Sequence, residues 1–221
     1  FEVDMQLRPS GGAGPAAVSL SAFQKYYAAD AWTWELMALL KGRIVAGEPD
    51  VARNVRAAID AALTTARPRA GLARDVCDMR VRLAGAKPAR SPWDVKLAPG
   101  GLADLDFILE FLALASGPVL KARPQLAAGL IKTLENQSIL AKDDAEALKA
   151  AGDFFETVMQ LSRAATGGIF DPGSGGEALK ARMAAALGAA DVKEAERMLE
   201  ARMTDVRRLF GNIVGAAALS S

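Results

Sequence analysis

KLAPGGLADLDFILEFLALAS, residues 96–116, is the stretch around which the rest of this 221-residue chain is expected to pack. A Gly-Gly turn precedes a helical pattern that is apolar on nearly every side. Leu102, Leu105, Leu109 and Leu112 keep a three-four spacing, and Phe107, Ile108, Phe111 and Leu114 cover much of the remaining circumference. A helix apolar all round is buried on more than one side. Its charges, Asp104, Asp106 and Glu110, therefore need a reason to be there. Asp106 and Glu110 share one face, and Asp104 points roughly to the other side.

Outward from this helix, composition sets the class. The chain is 51% hydrophobic and 6% aromatic, rich in Ala and Leu and poor in β-branched residues, which predicts an all-α fold. Lys and Arg number 27 against 26 Asp and Glu, so no broad cationic field favours nucleic acid or an anionic membrane as a partner. Histidine is absent, which excludes imidazole acid–base chemistry and histidine–metal sites. The single cysteine, Cys77, allows no intrachain disulfide and reads as a small core thiol. With no leader and no long uncharged apolar run, the expected setting is cytoplasmic.

Residues 1–8, FEVDMQLR, alternate strictly and predict a strand buried on one side. A lone strand cannot satisfy its own ladder, so its partners are expected upstream, and the chain, which opens without an initiator Met, reads as a piece of something longer. After a loop at residues 9–15, Ser19 or Ser21 caps a helix carrying Phe23, Tyr26 and Tyr27. The next pattern runs through Trp32, Trp34, Leu40, Lys41 and Ile44 to Gly47. Asp50 is expected to cap a helix that faces Val51, Val55, Ala58, Ile59 and Ala62 inward. Further helices are predicted over residues 72–83, 124–136, 142–165, 176–187 and 190–217. Residues 85–99 form a connector with a short extended piece at residues 93–97, and residues 167–176 a flexible turn.

Several residues invite chemistry. Glu2, Asp4 and Arg8 share the polar face of the strand, where a carboxylate can hold a divalent ion and an arginine can meet phosphate; the same pattern fits the wet face of an edge strand. Lys41 and Arg43 can face a nucleotide or simply water. One of Trp32 and Trp34 is expected in the core, since they cannot share a helix face. Gly100 and Gly101 before a helix suit an anion, but Asp104 in the first turn competes for the same donors as an internal cap. Asp106 and Glu110 are expected to pair with Arg74, Arg80 or Arg82.

Three blocks, FEVDMQLRPSGGAG, AWTWELMALLKGRIVAGE and DVKLAPGGLADLDF, resemble in order the glutamine synthetase adenylyltransferase family of bacterial nitrogen control. The resemblance implies a C-terminal half: the end of a nucleotidyltransferase domain (residues 1–47), bridging helices and a connector (48–99) and a C-terminal helical bundle (100–221). It implies that the full enzyme moves AMP from ATP, with Mg²⁺, to a tyrosine of glutamine synthetase. PII-type signal protein and glutamine are the implied regulators. Asp4 matches the family's third metal-holding carboxylate and is the catalytic residue to carry over, with Arg8, Lys41 and Arg43 beside the nucleotide. The Gly-Ser turn and Asp-x-Asp pair of such domains are expected upstream of Phe1, so these residues alone are expected to be inactive, with no cofactor tightly bound. Gln6 stands where the family has Arg, Leu36-Met37 replace His-Gln, and Asp106 replaces Glu. Gly100, Gly101, Asp104, Asp106 and Glu110 form a structural motif in this reading. The alternative is a non-catalytic regulatory module that binds PII-type protein or glutamine synthetase.

Overall fold

The computed structural model describes residues 8–117 and 127–220. Residues 1–7, with the expected strand, Glu2 and Asp4, lie outside them, as does the stretch with Pro118, Pro124 and Leu126. Among the described residues every long element is an α-helix: α1 (Leu20–Ala29), α2 (Thr33–Leu40), α3 (Pro49–Thr64), α4 (Arg69–Ala86), α5 (Leu102–Ala115), α6 (Ala127–Asn136), α7 (Lys142–Thr166), α8 (Glu177–Ala186) and α9 (Val192–Phe210). A π-helical turn, Gly211–Gly215, leads into a last short α10 (Ala216–Leu219). The all-α expectation holds.

α5 is the hub. It packs against α2, α4, α6, α7 and α9, and Leu105, Ile108, Leu109, Phe111, Leu112 and Leu114 are all buried. The Arg69 guanidinium lies 4.9 Å from the centre of the Phe111 ring. α7 and α9 supply the opposite walls through Leu148, Phe155, Val158, Leu199, Met203 and Val206.

Helix starts follow local chemistry. The Ser19 hydroxyl accepts the Ala22 amide at the head of α1. Asp191 does the same for Glu194 at the head of α9. At α3 the expected cap moves by two residues. Pro49 takes the first helical position, where its missing N–H is harmless, so Glu48 is the cap residue and Asp50 sits inside the first turn. Val51 then turns outward, 55% exposed, while Ala58, Ile59 and Ala62 face in.

Three other expectations change. α2 ends at Leu40 instead of running on to Gly47: the Lys41 amide bonds back to Ala38 and Leu39, and Gly42 follows. Neither Trp32 nor Trp34 is in the core. Trp32 is the extended residue before α2 and 68% exposed, Trp34 is 41% exposed, and the buried tryptophan is Trp93. Residues 93–97 are not extended but a run of turns, with the Leu97 and Ala98 amides both bonded to the Asp94 carbonyl. Trp93 meets Phe170 edge-on at 4.9 Å, so the turn between α7 and α8 is pinned by a fully buried ring. Asp171 tightens it further by accepting from the Gly173 amide and Ser174 hydroxyl. Cys77 is half-buried in α4, and burial pushes its thiol up, away from the reactive thiolate.

Candidate functional site

The start of α5 is sealed from ligands by the chain itself. The amides of Gly101, Leu102 and Ala103 donate to the carbonyls of Ala98, Val95 and Lys96, so the donors an anion would use are taken. Gly100 has φ +83°, and a Cβ there would meet the Met203 carbonyl oxygen at 2.0 Å. Only glycine allows this approach of the turn to α9. Arg207 then clips the turn by donating to the Pro99 carbonyl at 2.9 Å. Asp104 accepts the Gly100 amide and the Arg80 guanidinium, and both charged side chains are nearly enclosed. Asp104 thus closes the turn on α4.

Two residues on, the same helix presents a different environment. The Lys41 ammonium, at the end of α2, lies 2.9 Å from Asp106 Oδ2 and 2.7 Å from Glu110 Oε1. The partner of this carboxylate pair is therefore the lysine that caps the end of α2 and not an arginine of α4. Arg80 goes to Asp104, while Arg74 and Arg82 are exposed. Asp104 and Asp106 read as Asp-x-Asp, yet a helix turns about 200° over two residues and sends them to opposite sides. No metal pair forms from them.

Burial pushes the Glu110 carboxyl up to about 7, against the opposing pull of Lys41. On Lys41, burial favours the neutral amine, but the charges of Glu110 and Asp106 outweigh it and raise its pKa. Lys41 also stands between two cavities. One, of about 330 Å³, is lined by Arg8, Tyr27, Trp34 and Glu35 as well as Lys41. The other, about 620 Å³, lies between α4, α5 and α7 and includes Asp106 and Glu110. Arg43 is in the exposed loop after α2 and lines neither.

Glu35 is the polar centre of the smaller cavity. It is buried, and its carboxylate accepts the Tyr26 hydroxyl at 2.8 and 2.9 Å and the Trp32 amide at 2.8 Å. Burial and the Glu35 charge push the Tyr27 hydroxyl up to about 12, so it stays protonated. Arg8 donates from Nε to the Gly14 carbonyl at 3.2 Å. Neither Glu35 nor the Lys41 bridge stood out in sequence. Both are tertiary facts: Lys41 and Asp106 are 65 positions apart.

Among the described residues, no three acidic, His or Cys side chains converge as a metal site would require. Asp4 lies outside them.

Two stretches of the chain match models of known protein families. Residues 1–58 match the family model described as glutamate-ammonia ligase adenylyltransferase, and residues 78–214 match one described as GlnD PII-uridylyltransferase. Lys41 falls in the first match, Asp106 and Glu110 in the second. The bifunctional glutamine synthetase adenylyltransferase/adenylyl-removing enzyme of Rhodopseudomonas palustris is 35% identical over 218 residues, covering 97% of this chain and 22% of that protein. The enzymes of the same description from Bradyrhizobium diazoefficiens and Xanthobacter autotrophicus are 36% and 33% identical, over 95% and 99% of the chain and 21% and 22% of theirs. The chain spans about a fifth of the length of the curated relatives it matches.

Proposed function

The chain belongs to the glutamine synthetase adenylyltransferase family, and we propose that it is the C-terminal part of an enzyme that transfers AMP from ATP to a tyrosine of glutamine synthetase. The observation that carries this is the alignment of nearly the whole chain with one fifth of each relative. In this reading residues 1–47 end the nucleotidyltransferase domain, 48–99 bridge, and 100–221 form the bundle.

Asp4 is assigned as a catalytic, metal-holding carboxylate, and Arg8, Lys41 and Arg43 as nucleotide contacts. The shared cavity of Arg8 and Lys41 supports two of these three assignments. A bound Mg²⁺ would supply charge neutralisation on the phosphates. The described residues do not themselves make a site for it. What they do is hold Lys41 at the cavity wall and keep Tyr26 and Tyr27 protonated and fixed around Glu35. Residues 1–221 alone are inactive in this reading, and the working location is cytoplasmic; no described helix is long and apolar enough to cross a membrane.

A second reading has its own observation. The model matched by residues 78–214 is named for a PII-modifying enzyme, which favours a regulatory bundle that binds PII-type protein or glutamine synthetase, with glutamine as effector.

The test is AMP incorporation into glutamine synthetase from labelled ATP. The chain alone incorporates none. Joined behind the upstream part of the Rhodopseudomonas relative it does, and Asp4→Asn lowers that rate by about a hundredfold or more. Incorporation by the isolated chain, or an unaffected Asp4→Asn chimera, contradicts the proposal. Capture of PII-type protein by the isolated chain supports the regulatory reading.

A further inference from the structure

The larger cavity shares Lys41 with the proposed nucleotide site, but the rest of its lining lies outside that assignment. At about 620 Å³ it lies within the roughly 300–1,000 Å³ typical of small-molecule clefts. Leu97, Leu102, Phe107 and Met159 contribute apolar side chains from three elements, each only half-buried and so available to a ligand. Around them stand Lys87 at the end of α4, Lys96 in the turn before α5 and Arg163 in the last turn of α7. All three are exposed, and no ion pair joins any of them to another described residue. Lys41, by contrast, is already held by Asp106 and Glu110.

The chemistry of this lining selects the ligand. Cations in the lining outnumber carboxylates by one, with Glu156 joining Asp106 and Glu110 on the acidic side. A neutral ligand would leave unused the three cations that have no ion-pair partner among the described residues. A polyanion such as a triphosphate would meet three carboxylates in the same walls, at a repulsive cost. From this we infer that the cavity between α4, α5 and α7 binds a small organic monoanion, an apolar body carrying a single carboxylate or phosphodiester. The apolar body covers Phe107 and Met159, and the charged group meets Lys87, Lys96 and Arg163.

The experiment is a ligand-observed NMR titration of the 221-residue chain with phenylacetate, methyl phenyl phosphate, benzyl alcohol and tripolyphosphate. One or both monoanions bind at millimolar concentration or tighter. Benzyl alcohol and tripolyphosphate bind at least about tenfold more weakly. Whichever of the two monoanions binds better identifies the charged group. The doubly substituted Lys96→Glu, Arg163→Glu chain, its fold checked by circular dichroism, loses about tenfold or more in affinity. Met159→Trp fills the apolar floor and abolishes binding; if that variant fails to fold, the charge reversal still decides. Equal binding of benzyl alcohol, unchanged affinity after charge reversal, or no binding by any probe overturns the inference.

Discussion

The first turn of α5 and its middle carry the same kind of side chain in opposite settings. Asp104 is enclosed by Arg80 and the Gly100 amide where the turn meets α4 and α9. Asp106, 41% exposed at its side chain, and the enclosed Glu110 share Lys41 at the edge of two cavities. One helix thus divides its work. A charge sealed among protein groups is costly to disturb and serves the fold. A charge pair beside open space, with one member raised to about 7, can respond to pH and ligands.

Breaking the sealed end has the largest effect. Asp104→Ala leaves the Arg80 guanidinium and Gly100 amide without their acceptor, and urea unfolding is expected to show a loss of about 3–5 kcal/mol. Gly100→Ala is next, at about 3 kcal/mol by the same measurement. It places a Cβ at positive φ and against the Met203 carbonyl, which is backbone and cannot rotate aside. Asp106→Asn is the smallest of the three. Its side chain is 41% exposed, and Lys41 keeps Glu110, so the loss stays below about 1 kcal/mol. Similar losses for Asp104→Ala and Asp106→Asn would erase the distinction between the two ends.

The hub position of α5 was legible because few soluble helices are apolar on all sides, and a Gly-Gly turn marked its start. Helix ends are legible where one residue decides them, as with the left-handed Gly167 after α7, while at α1 the sequence leaves two serines open and the structure selects Ser19. They are not legible where two signals compete: Pro49 displaces Asp50 from the cap position, and Gly42 stops α2 early. The opposed directions of Asp104 and Asp106 followed from helical geometry alone. Their partners did not. Lys41 reaches α5 only after the chain has folded through α3 and α4, and no local spacing encodes that meeting. Trp93 was hidden for the same reason, since its burial depends on Phe170 arriving from the far side of α7. The small cavity around Glu35 depends on α1 folding back on α2, again a tertiary outcome.

The division within α5 is tested most directly by stability against pH for the wild-type chain, Glu110→Gln and Asp104→Asn. In the folded chain the Glu110 carboxyl titrates near 7, above its ordinary 4.5. Between those values the folded state holds the extra proton, so wild-type stability falls as pH rises through that window. The chain has no histidine, so no imidazole masks the fall. Glu110→Gln is expected to remove this fall, whereas Asp104→Asn lowers stability throughout that window and keeps the fall. An unchanged slope in Glu110→Gln, or a slope lost in Asp104→Asn, contradicts the account.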